Sequence, residues 1–292
     1  MMQYALFARP VVTIYDLPQT TKQSEAGLVS TIGDEGLYGQ ACQVRTAPGG
    51  VTAEGVPLSP EVAEVVTFYG YHGFVRRDAL KFVSEDALRD YLPQPLVLVG
   101  RATDVLSLPK VQGVRMLELA RGCLLCRLPE QPEEALAHTG WAKEARMIPA
   151  GELVPQALQA WYDGSEEAFR DAVCAQAKKY LGTEYRWGGK SGRGIDCSGR
   201  VSSAYMQCGV LIYRDARIVE GWPMHQIPFA DKKRGDALYF PGHIALYLGE
   251  GRYIHSTGAS ASGGVVINSL DPADPLYRED LVMSLYAVGS VF

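Results

Sequence analysis

The chain has 292 residues, 47% hydrophobic and 21% charged, with a formal net charge of -5. That is ordinary globular composition, long enough for about two domains or three small ones. The mildly acidic balance argues against a nucleic-acid partner, which would usually meet a basic face. No stretch approaches the ~20 apolar residues that cross a bilayer, so no membrane partner is expected either.

The opening run MMQYALFARPVVTIYDLP lacks a basic start, is broken by Arg9 and Pro10, and leads to no small-residue cleavage site. The expected location is therefore the cytoplasm, or the periplasm or exterior if a leader has been removed. Residues 1 to about 155 are short apolar runs between Pro and Gly, such as VVTIYDLP, LVSTIGDEGLYG, VVTFYGYHGFV and VRMLELARGCLLCRLP. Runs of this length predict small β-barrels or sandwiches. A weak echo between YHGFVRRDAL and HTGWAKEARMI divides the region into two β modules, 1–90 and 91–155, with SEDALRDYLPQPL as a short helical bridge. The six cysteines are scattered and do not form a disulfide framework. Cys123 and Cys126 make a lone C-x-x-C without two further ligands nearby, which reads as a strand with apolar cysteines rather than a zinc site. No metal or other cofactor is expected.

A third domain is predicted over 160–292. SEEAFRDAVCAQAKKYLG is helical by its 3–4 residue spacing, with Ser165 as N-cap and acids in the first turn. A Gly-rich loop, YRWGGKSGRGID, then leads into a second helix that starts at Cys197. Strands follow: ALYF, HIALYLG, RYIHSTG, GVVINSL and MSLYAVGSV. Helices followed by an antiparallel sheet give an α+β order. Residues 210–234, with Trp222 and His225, read as a loop.

Cys197 sits where loop becomes helix, and first-turn amides there can lower a thiol pKa. A thiolate catalyst needs a base, usually His. By alternation His243 shares a strand face with Ala245 and Tyr247, and His255 shares one with Tyr253. On neighbouring antiparallel strands the two would lie side by side, one pairing with Cys197 and the other holding its ring. His72, His138 and His225 are weaker candidates. The competing chemistry is zinc held by Cys197, His243 and His255.

The run LGTEYRWGGKSGRGIDCSGRVSSAYMQCGV, followed by RGDALYFPGHIALYLGEGRYIHSTG, resembles the NlpC-type cysteine peptidases of bacteria. It carries the D-C-S-G, G-D-x-x-x-F, G-H-x-x-x-Y and I-H-x pieces in order over about 165–292. The resemblance implies a minimal papain-like domain, preceded by two SH3-like modules as in muropeptide-recycling members. It implies Cys197 as nucleophile, His243 as base, His255 as its orienter, and Tyr185 with the Cys197 amide as oxyanion donors. The implied reaction is hydrolysis of the γ-D-glutamyl–diamino acid bond (meso-diaminopimelate or L-Lys) of peptidoglycan stem peptides with a free N-terminal L-Ala. L-Ala-D-Glu would be released. Asp196 would bind the ammonium, Ser198 and Trp187 would line its pocket, and Tyr71 of the first module would close it. Where relatives carry an acid after Tyr-Gly, this chain has Tyr38-Gly39-Gln40, and Glu35 is the candidate substitute. Lys190, Arg193 and Arg200 are candidates for substrate carboxylates. Two alternatives stay open: another amidase or acyltransferase on the same scaffold, and a wall-peptide receptor without catalysis.

Overall fold

The computed structural model describes residues 3–47, 49–91, 96–98, 102–108, 110, 112–126, 141–142, 146–148, 165–259 and 262–292. The chain divides into two compact units, Met1–Gly151 and Glu152–Phe292. His138 and the expected domain boundary between 155 and 160 lie outside the described residues.

The first unit is β-rich. Seven strands form one sheet in the order Ile32–Leu37, Val11–Tyr15, His72–Arg76, Val62–Thr67, Ala41–Val44, Gln3–Phe7 and Leu80–Val83. Alternation supplies its core: Ala5 and Phe7, Val12 and Ile14, Cys42 and Val44, and Ala63 and Val65 all point inward. The helix predicted after this module forms at Glu85–Tyr91, where the Ala87 amide donates to the Ser84 hydroxyl. Two three-stranded sheets follow. One is built on Leu96–Leu98, between Leu124–Cys126 and Arg146–Ile148. The other is built on Thr103–Leu106, between Arg115–Leu119 and Trp141–Ala142. LARGCLLCRLP is a strand in part, at Leu124–Cys126, and the Cys123 thiol is buried against the Pro10 carbonyl.

The second unit packs helices Glu166–Lys178 and Cys197–Met206 on an antiparallel sheet. Its six strands run His225–Ile227, Ala287–Ser290, Ala237–Phe240, His243–Gly249, Arg252–Ser256 and Val265–Ser269. His225–Ile227 is thus an edge strand, where a loop was expected, because it pairs with Ala287–Ser290. Helix Glu166–Lys178 is capped by the Ser165 side chain, which accepts from the Ala168 amide. Helix Cys197–Met206 is capped by Asp196. Both helices bury Phe169, Val173, Val201, Ala204 and Tyr205 against Tyr239, Ile244, Leu246 and Ile254 of the sheet. The other sheet face carries Leu238, Phe240, Ala245, Tyr247 and Tyr253. The alternation expected for HIALYLG is the one observed.

Candidate active site

The nucleophile helix begins at Cys197 because Asp196 ends the loop in extended backbone and its carboxylate accepts from the Gly199 amide at 2.5 Å. Gly199 has to be glycine here. A Cβ at that position would collide with the Gly189 carbonyl, so the loop before the helix lies directly on its first turn. That loop is tied by the short ladder Lys190–Ser191 with Gly194–Ile195 and by a bridge between Tyr185 and Ile195. Tyr185 and Cys197 are thereby held within electrostatic reach of each other.

The sheet opens where the thiol arrives. Strands His243–Gly249 and Arg252–Ser256 pair at Leu246↔Ile254 and Tyr247↔Tyr253. Beyond Ile254, the strand goes on pairing through His255↔Val266 and Ser256↔Val265. The backbone amides of Ile244, next to His243, and of Ser198 face the Cys197 thiol closely enough to favour its charged form. Continued at the same spacing, the first register would set His255 across from Ala245, two residues from His243. The histidines are therefore diagonal neighbours rather than directly opposed. A diagonal step of ~7–8 Å is within reach of two long rings. His243 Nε2 and His255 Nδ1 are 2.8 Å apart. His255 Nε2 lies 2.8 Å from Asn268 Oδ1, and Asn268 Nδ2 donates to the Leu276 carbonyl at 2.8 Å. Because these two ring nitrogens face each other, they cannot both be aimed at one metal ion.

The thiol and the two imidazoles are each neutral at rest. Burial pushes the Cys197 thiol up, and the Asp196 carboxylate adds to this. The Ile244 and Ser198 amides and Arg214 pull the other way without overcoming it. The lowered thiol expected from the helix terminus is thus reversed by burial: Cys197 is only 7% exposed. Burial lowers His243 to about 3, helped by His255 and Arg200. It lowers His255 to about 4, with the Asn268 bond opposing. Tyr185 is held protonated by burial, with the Asp196 charge and any thiolate on Cys197 acting in the same direction, so its hydroxyl remains a donor.

Asp196 is shared. Arg214 donates to Oδ2 at 3.0 Å and to Oδ1 at 3.2 Å, and also reaches the Ser198 hydroxyl at 2.7 Å and the Gly188 carbonyl at 3.1 Å. Ser198 donates to Asp196 at 3.2 Å. Trp187 is largely exposed. Arg200 is fully buried, with Nη2 donating to the Ile254 carbonyl at 2.7 Å, so it is a core residue and not a surface contact for a carboxylate. In the first unit, Tyr71 donates to Asp16 at 2.8 Å and Glu35 is buried on its strand. Gln40 is a backbone staple: it accepts from the Leu37 amide and donates to the Gly122 carbonyl, both at 3.2 Å.

Residues 182–278 match the NlpC/P60 family. Over 280 residues the chain is 38% identical to dipeptidyl-peptidase 6 of Lysinibacillus sphaericus, covering 92% of this chain and 95% of that protein. The chain belongs to the NlpC/P60 family. It is also 34% identical over 284 residues to the gamma-D-glutamyl-L-lysine dipeptidyl-peptidase of Bacillus subtilis, covering 94% of this chain and 88% of that one. The crystal structure of an NlpC/P60 family protein from Bacillus cereus shares the fold. Its TM-score is 0.69 at 19% identity, over 98% of each chain. Two polar residues at this NlpC/P60 site were not singled out from sequence. Asn268 lies in an otherwise ordinary strand, and Arg214 lies in an irregular segment. Neither belongs to a motif that would have marked it.

Proposed function

We propose that the protein is a cysteine peptidase that hydrolyses the γ-D-glutamyl–diamino acid bond of peptidoglycan stem peptides bearing a free N-terminal L-Ala. It would release L-Ala-D-Glu in wall-peptide recycling. The observation that carries the reading is the hydrogen-bonded His243–His255–Asn268 line, on the strand whose Ile244 amide acts on the thiol of Cys197 at its helix N-terminus. The Bacillus subtilis relative, a gamma-D-glutamyl-L-lysine dipeptidyl-peptidase, supports the substrate class.

In this reading the protonated thiol gives its proton to His243 as sulfur attacks the γ-carbonyl of D-Glu. The oxyanion is met by the Cys197 amide and the Tyr185 hydroxyl. The tetrahedral intermediate collapses to a thioester, and the departing amine of the diamino acid takes the proton from His243. Water then attacks the thioester, with His243 again as base, and the thiol is restored. The two N-terminal β modules are SH3-like in this proposal. Asp196, Ser198 and Trp187 are assigned to recognition of the substrate's amine end. Among the described residues Asp196 Oδ2 accepts only from Arg214, which leaves it a lone pair for an ammonium.

The test uses L-Ala-γ-D-Glu-diaminopimelate, the corresponding L-Lys peptide and their N-acetylated forms, with products read by mass spectrometry. L-Ala-D-Glu is expected from the free amines and not from the acetylated peptides, and Cys197→Ala should abolish it. Equal rates on acetylated and free peptide would remove the amine assignment. Full activity in Cys197→Ala would remove the mechanism.

A further inference from the structure

We propose that Asn268 is a positioning residue that sets which nitrogens of His243 and His255 carry protons, leaving Nδ1 of His243 as the one bare nitrogen available to the thiol. The inference rests on the reading of Cys197, His243 and His255 as the catalytic set.

The geometry runs in one direction. The Leu276 carbonyl can only accept, so the group of Asn268 that faces it is the amide NH2. The Asn268 carbonyl oxygen must then face His255 Nε2, 2.8 Å away. An amide oxygen can only accept, so His255 Nε2 carries the hydrogen. A neutral His255 then has a lone pair on Nδ1, and the nitrogen facing it, His243 Nε2, must be the donor at 2.8 Å. A neutral His243 with hydrogen on Nε2 has its lone pair on Nδ1. The orientation of one side-chain amide thus propagates through two rings. Both rings are neutral near pH 7, since burial lowers both.

Strand register makes the line possible. Asn268 pairs with Tyr253 and His255 with Val266, so Asn268 is two residues along from His255's partner. His243 is displaced by two in the opposite sense on the neighbouring strand, as described above. The three side chains share one face and form a single diagonal across three strands. When His243 takes the thiol proton, its Nε2–H still points at the His255 lone pair, so the imidazolium forms with an acceptor already in place. Without Asn268, His255 is free to carry its hydrogen on Nδ1. It would then donate to His243 Nε2, put the His243 hydrogen on Nδ1, and remove the base.

The groups around the pair do not substitute for Asn268. Arg200, Arg278 and Asp280 act on both rings through their charges. Phe240 and Tyr253 pack against the rings, with centroids 5.7 Å from His243 and 5.4 Å from His255.

The experiment is nitrogen-resolved NMR of the full chain with 15N-labelled histidine, together with kinetics on the free-amine peptide. The wild type is expected to show hydrogen on Nε2 of both His243 and His255 at pH 7. Asn268→Leu should disturb this pattern and lower kcat by roughly 10²-fold with KM little changed. Asn268→Asp, which still accepts from Nε2–H, should keep the pattern and recover most of kcat. A wild-type spectrum with His243 protonated on Nδ1 overturns the proposal even if no variant folds. So does a folded Asn268→Leu with wild-type kcat. The underlying reading fails separately: if Cys197→Ala remains active, the catalytic set itself is wrong. If Cys197→Ala is inactive while Asn268→Leu is unaffected, only the role of Asn268 is lost.

Discussion

Arg200 is the residue least like its surroundings. It lies three positions after Cys197, on the same side of the helix, with none of its surface exposed. Among the described residues Nε and Nη1 have no hydrogen-bond partner, and the one bond is from Nη2 to the Ile254 carbonyl. Burial drops its pKa to about 10, so it remains a cation at neutral pH. The groups whose charge would stabilise it are Cys197, Cys174 and Tyr180, each neutral in its resting form. A buried cation with unmet donors is costly. It gains its counter-charge when the Cys197 thiol loses its proton, and the same field disfavours a proton on His243. Arg200→Met should therefore leave the protein at least as stable as the wild type. It should also shift the pH midpoint of Cys197 alkylation by iodoacetamide upward, by about one unit. An unchanged midpoint would show that the cation is not coupled to the thiol.

At the scale of the element, the nucleophile helix depends on a cap and a contact. The cap is Asp196, whose charge is matched by Arg214. The contact is the seating of the Gly189 carbonyl against Gly199, where a methyl group does not fit. In an exposed helix Gly→Ala stabilises by about 1 kcal/mol. Here the clash reverses the sign, and Gly199→Ala should cost about 1–3 kcal/mol, as overpacking does. It should also slow alkylation of Cys197, because the loop carrying Tyr185 must move. Chemical denaturation and alkylation kinetics read the two effects, and a stabilised Gly199→Ala would contradict the packing. These elements were open to sequence reading in unequal degree. The Ser165 and Asp196 caps, the helix starting at Cys197 and the shared face of the two histidines follow from local rules. The parting of two strands near Ile254 does not, because register is decided by what packs between strands. Asn268 and Arg214 were missed for a related reason. A strand Asn and a loop Arg carry no local signal, and their meaning comes from partners 13 and 18 residues away. Gln40 is the converse case: its departure from an acid was visible, but its role as a staple between Leu37 and Gly122 was not.

At the scale of the molecule, the histidine pair ties the stability of the second unit to pH. In the unfolded chain each histidine has a pKa near 6.5. In the fold, burial brings His243 to about 3 and His255 to about 4. Between those limits the unfolded state binds more protons than the folded one, so stability rises with pH. The contribution is complete above pH ~6.5 and is lost as pH falls from there toward 4. The slope is up to about 1.4 kcal/mol per pH unit for each histidine. Carboxylates held low by ion pairs, such as Glu166 and Asp280, add their own acid loss, but only once pH falls to the ordinary carboxylate range of about 4. The interval from 6.5 to 4.5 therefore belongs to the histidines. Because a chain of two units need not unfold in one step, the measurement should report on the second unit alone. Hydrogen exchange of the Cys197–Met206 amides, followed by mass spectrometry across this interval, does so. Protection should decline steadily as the solution is acidified, and His255→Gln should flatten the decline by about half while leaving the region below pH 4 unchanged. Protection independent of pH between 6.5 and 4.5 would mean that the rings are charged in the fold, and the neutral thiol–imidazole pair would have to be abandoned.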